Sequence, residues 1–210
     1  MRITVFGAAG AAGRRITVEA LSRGHAVTAV VRSPARFAEL PDGARARVGD
    51  ALSAASATES ARDQDVVIAA TRPAPGREGE LVLATEVLLA AVTVTGARLL
   101  VVGGAGTLTV PSGGTVADAP DFPADWLPIA RAGAEQLDRC RAAPLADWAY
   151  LSPAALLTPG ERTGRYRLGA DELVTDQHGV SALSYEDLAV VLLDEAEHPE
   201  HHRCRFTAAY

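Results

Sequence analysis

The chain has no lysine: all 20 of its basic residues are arginine. A guanidinium stays protonated and differs in geometry from an ammonium, so no arginine here substitutes for a catalytic lysine. Two cysteines, Cys140 and Cys204, make no disulfide framework, and free thiols in a reducing compartment are expected. No apolar run approaches the roughly 20 residues that span a bilayer. No positive segment followed by an apolar one precedes the first strand, so a cytoplasmic protein without membrane contact is expected. Positive charge is not in excess either: the net charge of −6 argues against nucleic acid as a partner. Internal repeats, linkers and a G-x-S-x-G elbow are all missing, which disfavours a hydrolase. His198-Pro-Glu-His-His202 offers three imidazoles, but the spacing matches no standard site; a solvated loop and no bound metal are expected.

What is present suits one domain over residues 1–210, with 48% hydrophobic and 22% charged residues. Strand and helix patterns alternate through the first two-thirds. Strands are predicted around Val5 and over Ala26–Val31, Ala44–Val48, Asp65–Ala70, Arg98–Val102 and Trp148–Leu151. Helices are predicted from the first glycine turn through Leu21, near Pro34–Leu40, and over Ser53–Arg62, Glu78–Thr95 and Trp126–Arg141. Residues 103–125, with clustered glycine and proline, read as a lid or binding loop carrying a small hairpin (Thr107–Val110 with Thr115–Val116). Residues 152–210 form a C-terminal portion with short strands at Tyr166–Leu168 and Leu173–Thr175. Its last helix, Tyr185–Glu197, opens on the capping-box pattern Ser184-Tyr-Glu-Asp187, and a final strand covers Arg203–Ala208. The pattern predicts an α/β fold, a doubly wound parallel sheet with helices on both faces and a small C-terminal substrate-side substructure. Ligand is expected at the carboxyl ends of strands one and four, where the winding reverses.

The first thirteen residues carry the strongest signal. A β-branched run, Ile3 to Phe6, enters glycines at 7, 10 and 13, and a helix follows at once. Such a turn lets backbone approach a pyrophosphate, while helix N–H groups and the helix dipole favour its charge. Gly7, Ala9, Gly10, Ala11, Ala12 and Gly13 are therefore candidate binding residues. The second strand ends in Arg32, Ser33 and Arg36, at the place where an NAD-binding unit usually carries an acidic residue for the ribose 2′-hydroxyl. Two guanidiniums and a hydroxyl suit a 2′-phosphate instead, so NADP is preferred, with NAD as the alternative. Arg14 and Arg15 can add positive charge at the helix start. Asp50, followed by Ala51, can accept from an adenine amino group or simply form a turn. Ala70, Thr71 and Arg72 end the fourth strand. Gly103 and Gly104 end the fifth, beside the expected nicotinamide position, and Ser152 and Pro153 end the sixth as the far wall. Phe122, Trp126 and Tyr166 are candidates to stack on a flat substrate or to pack in the core.

The string Phe6-Gly-Ala-Ala-Gly-Ala-Ala-Gly13, with Val31–Arg36, Gly49-Asp50 and Thr71-Arg72, resembles the atypical short-chain dehydrogenase/reductase superfamily. Within it the chain is most similar to the branch of biliverdin reductase B-type and bacterial NAD(P)H–flavin reductase-like proteins, related to NmrA-type regulators. Ala119–Pro123, Leu151–Leu156, Pro159–Gly164 and Leu183–Asp187 extend the resemblance over essentially the whole chain. It implies a Rossmann fold and a reductase passing hydride to a small flat acceptor, with free flavin as substrate rather than bound prosthetic group. The chain departs from the superfamily in its proton chemistry. The Tyr-x-x-x-Lys pair is impossible without lysine, and residue +4 after Tyr150, Tyr166 and Tyr185 is alanine each time. The serine frequent after the fifth strand in biliverdin reductase B-like proteins is replaced by glycine and alanine. No catalytic side chain is assigned. Flavin reduction tolerates this, since proximity and orientation carry most of the catalysis. A non-catalytic NADP sensor, in which cofactor orders residues 103–125 and changes a protein contact, is the alternative. A sugar-nucleotide epimerase or dehydratase is disfavoured. A monomer or homodimer is expected, with a small-molecule acceptor as partner and a protein partner only for the sensor.

Overall fold

The computed structural model describes residues 1–210. Its first strand, β1 (Arg2–Phe6), is followed by α1 (Ala11–Ser22), β2 (Ala26–Val31), β3 (Arg45–Val48), α2 (Ala54–Ala61), β4 (Val66–Ala69), α3 (Gly79–Thr95) and β5 (Arg98–Val102). After a long excursion come α4 (Leu127–Arg141), β6 (Trp148–Pro153), β7 (Leu156–Thr158), β8 (Arg167–Gly169), β9 (Ala182–Ser184), α5 (Tyr185–Glu197) and β10 (Cys204–Ala209). Eight strands form one sheet in the order β3-β2-β1-β4-β5-β6-β10-β8, parallel throughout except where β8 runs against β10. The winding reverses between β1 and β4, as the alternation of elements predicts.

Side chains alternate between the two faces of the sheet, so each face gathers its own core. Ile3, Val5, Val27, Ile68, Leu100, Leu151 and Phe206 pack with α1 and α5. Phe6, Val30, Val67, Leu99, Val101, Trp148 and Tyr150 pack with α2, α3 and α4. The register aligns the carboxyl ends: Phe6 pairs with Val30 and Ala69, Ala69 with Val101, and Val102 with Leu151. Gly7, Ala70, Gly103 and Ser152 therefore emerge along one edge. No helix is long and apolar enough to cross a membrane.

Local chemistry sets the helix starts. The Ser53 side chain accepts from Ser56 N, and that of Ser184 from Asp187 N, as the sequence predicts. The reciprocal half of the second box is not made, because the Asp187 carboxylate binds Thr163, Gly164 and Tyr210 instead. α3 closes on Gly96 in the left-handed conformation, which lacks a Cβ penalty there.

The differences from expectation are short elements. Pro34–Glu39 is a 3-10 helix, capped by the Ser33 side chain accepting from Ala35 N. The expected hairpin is a single bridge, Thr109 to Thr115. Leu173–Thr175 is no strand; Leu173 N donates to Thr109 O, tying its loop to the excursion. The pairing of β7 with β9 was not foreseen, since three residues are too few to display an alternation.

Candidate functional site: a glycine turn at the sheet edge

Each glycine of the turn has its own reason. Gly7 has φ +79, and a Cβ there would lie 2.4 Å from Ala70 O. A Cβ on Gly13 would lie 2.1 Å from Gly7 O, so this glycine lets α1 close on the turn. Gly10 donates its N–H to Gly7 O at 2.8 Å. A Cβ there would meet only Gly7 O, at 3.1 Å, and would otherwise point into open space. α1 starts from Gly10 without a side-chain cap and with no acidic residue in its first turn. The helix start, with Ala11, Ala12 and Gly13, therefore presents backbone N–H groups and positive dipole to the crevice. An anionic group fits here, because neither a Cβ nor a carboxylate occupies the place. Ala9 is half-buried in the same turn.

Beside this cradle stand the arginines of the β2 end. Arg32 is exposed and makes no ion pair. Arg36 reaches back to the turn itself, its Nη2 donating to Ala9 O at 3.1 Å. It also pairs with Glu39 through Nε–Oε1 at 2.9 Å and Nη2–Oε2 at 2.6 Å. Ser33 shares its hydroxyl with the 3-10 helix. The other two arginines are engaged: Arg14 donates to Glu39 O at 2.7 Å, and Arg15 pairs with Glu186 at 2.9 Å. Arg14, bonded only to a backbone carbonyl, keeps its positive charge beside the helix start, whereas that of Arg15 is paired. Asp50 forms a turn, its Oδ1 accepting from Leu52 N at 3.0 Å while its own N–H donates to Ser56 Oγ. Ala51 is buried in the α2 side of the core.

At the other end of the edge, Ala70 N donates to Phe6 O, Thr71 is half-buried, and Arg72 is exposed without an ion pair. Gly103 N donates to Leu151 O, and Gly104 has open space around it. A Cβ on Gly103 would lie 2.1 Å from the ring carbons of Tyr150. That tyrosine is 1% exposed and was not foreseen as a shaping residue. Its hydroxyl lies 3.1 Å from both Gly133 O and Gln136 Oε1, while Gln136 donates to Thr85 Oγ1. Burial raises its pKa well above the ordinary phenol value, so the ring is a neutral floor rather than an acid facing substrate. Only the strand register could have revealed it. Ser152 is fully buried and its Oγ has no partner; Thr207, beside it in register, is in the same condition. Pro153 is buried at the end of β6.

The excursion after β5 is tied down over its first half. Arg205, almost wholly buried, donates to Thr107 O and Oγ1 and pairs with Asp171. Thr109 N donates to Asp171 O, Val116 N to Leu108 O, and Ala117 N to Gly106 O. Thr115 donates through its hydroxyl and its backbone N–H to Asp118, which holds that carboxyl below its usual range. Phe122, half-buried, and Trp126, 53% exposed, follow in the stretch leading to α4. Tyr166 does not join them. It packs on the α1–α5 core, and its hydroxyl donates to Asp194 near the end of α5.

The C-terminal portion holds an open cavity of about 690 Å³, lined by Thr158, Glu161, Thr163, Arg165, Ser184 and Tyr210 among others. No residue of the glycine turn lines it. Nor is the histidine run a simple solvated loop. His201 Nδ1 contacts Glu195 Oε2 at 2.7 Å and its ring stacks on Phe206, while His202 contacts Asp147 at 2.8 Å. No group of three or more His, Cys, Asp or Glu side chains is arranged to hold a metal. Cys140 and Cys204 are free, and burial pushes the Cys140 thiol up to about 12.

A sheet wound this way, with its glycine turn at the reversal, is the Rossmann arrangement for dinucleotides. The chain belongs to the NAD(P)H-binding family, whose sequence model matches residues 7–199. It is 40% identical over 211 residues to the uncharacterized protein YwnB of Bacillus subtilis (strain 168), covering 99% of this chain and 97% of that one. Among solved structures it is similar to a candidate epimerase from Bacteroides thetaiotaomicron, with 37% identity and a TM-score of 0.91, covering 100% of this chain and 96% of that one. It is also similar to a candidate NADH–flavin reductase from Streptococcus pneumoniae TIGR4, with 33% identity and a TM-score of 0.88, covering 100% and 99%. These relatives place the chain among atypical short-chain dehydrogenase-like proteins, and their names diverge in chemistry.

Proposed function

We propose that the protein is an NADP-preferring oxidoreductase passing hydride to a small flat acceptor, with free flavin the favoured one. The observation that carries this reading is the uncapped start of α1 on its glycine turn, with Arg36 laid against Ala9 and Arg32 unpaired nearby. In this reading the turn and α1 hold the pyrophosphate, and Arg32, Ser33 and Arg36 take the 2′-phosphate. Asp50, through the carboxylate oxygen not taken by Leu52 N, and the backbone N–H of the buried Ala51 take the adenine. Ala70, Thr71 and Arg72, with Gly103 and Gly104, surround the nicotinamide half, backed by the buried Ser152 and Pro153. The bound dinucleotide supplies the hydride.

The chain's own contribution is orientation and exclusion of water. The missing side chain of Gly103 makes room for Tyr150, and Gly104 has open space around it, so a ring can lie close to the sheet edge there. Phe122 and Trp126 offer flat apolar surface to an acceptor. No lysine exists to assist a tyrosine, and Tyr150 is buried. A flavin suits such a site, because hydride goes to its N5 and the one proton it needs, at N1, comes from water. The same lack of a proton donor disfavours epimerase chemistry. It also supports a second reading, an NADP sensor without turnover.

The test is a titration with NADPH and NADH, followed by FMN while the reduced-nicotinamide absorbance is recorded. Tight NADPH binding with FMN-dependent oxidation is expected. Binding without oxidation by any flavin or quinone would favour the sensor, and no binding of either dinucleotide would overturn both.

A further inference from the structure

Glu39 pairs with Arg36, one of the three residues to which the dinucleotide reading above gives a 2′-phosphate. It ends the 3-10 helix Pro34–Glu39, and its backbone carbonyl accepts from Arg14 of α1 at 2.7 Å. Its carboxylate grips Arg36 by two parallel bonds, at 2.9 and 2.6 Å. The same Arg36 Nη2 touches Ala9 O in the second step of the glycine turn. A negative charge therefore sits within one guanidinium of the cradle, fixed there from both sides.

We infer that Glu39 is a specificity-determining residue, a built-in counter-ion that competes with a 2′-phosphate for Arg36 and so keeps NADH acceptable. This inference rests on the nucleotide placement proposed above. The guanidinium presents a planar fork, and one carboxylate occupies two of its donors. An arriving phosphate finds only the Nη1 donors of Arg36 free and meets the Glu39 charge across the guanidinium. A 2′-hydroxyl carries no charge and meets neither obstacle. The protein thus has the residues for NADP without their full discrimination, because specificity is a difference of two affinities and Glu39 lowers only one. Both side chains are about half exposed, 47% for Arg36 and 49% for Glu39, so the effect is that of a solvent-screened pair.

The variant Glu39→Gln keeps the size and an acceptor oxygen while removing the charge. Dissociation constants for NADPH and NADH are read by fluorescence titration at two salt concentrations. NADPH is expected to bind about fivefold more tightly to the variant, with NADH changed less than about twofold, the scale of a screened ion pair. The gain should shrink at high salt and vanish when Arg36→Gln is added. An unchanged or lowered NADPH preference in the variant, with the wild-type protein binding both dinucleotides, would overturn the inference while leaving the nucleotide site standing. Failure of the wild-type protein to bind either would overturn the placement itself.

Discussion

The two ends of the sheet edge are built differently. At the β1–α1 end the site is backbone: a glycine at positive φ, a helix start without a cap, and N–H groups aimed outward. At the β5–β6 end it is made by side chains from distant parts of the chain. Tyr150 fills the space under Gly103, Arg205 ties down Thr107, and Asp171 meets Thr109. The first kind of site is written in thirteen consecutive residues and tolerates little change. The second is distributed, and its chemistry can drift while the fold stays.

The largest effect should come from testing the backbone end against itself. Gly13→Val drives a Cβ into Gly7 O, so it should abolish NADPH binding and lower the Tm by about 5 °C or more. Gly10→Val should abolish binding with a much smaller Tm change, because its Cβ points into the cradle rather than the fold. Calorimetry beside a binding titration separates the two; equal Tm losses would break the distinction. Next, Arg32→Ala with Arg36→Ala should weaken NADPH by about 10- to 100-fold through lost charge-assisted bonds, and NADH far less. An equal loss for both dinucleotides would remove the 2′-phosphate from this place.

The distributed end predicts smaller, separable changes. Trp126→Ala should raise the KM for FMN severalfold without moving the NADPH dissociation constant, whereas Tyr166→Phe should leave both unchanged, since its hydroxyl serves Asp194. The smallest effect is in stability. Arg162, bonded to Glu19, holds that carboxyl below its ordinary value of 4.5, with Arg23 assisting. A depressed carboxyl contributes stability that is complete above 4.5 and lost as pH falls through the lowered value. Arg162→Ala should therefore lower the Tm by about 3 °C near neutrality. The deficit should close on acidification, as melting curves across that range would show.

Much of the architecture was legible because it repeats over many residues. The apolar run of β4, the glycine-closed α3 and the Ser184 cap of α5 each follow from local chemistry. The glycine turn was legible for the same reason. What escaped was short or long-range. β7 and β9 have three residues each, and their pairing depends on the sheet already being in place. Tyr166 reads as an available aromatic until Asp194, 28 positions away, is brought beside it. Arg15 looks like free charge until Glu186, 171 positions away, pairs with it. Glu39 itself carried no signal, since a lone acidic residue beside arginines reads as surface.

The tyrosine under Gly103 has a consequence for any change of chemistry at this edge. A serine or other side chain at position 103 would have to enter a volume that residue 150 already fills. The two positions can therefore change only together, since residues in such contact are strongly non-additive. An attempt to graft a proton donor onto this strand end would start from β6, by shrinking residue 150, and would reach position 103 second.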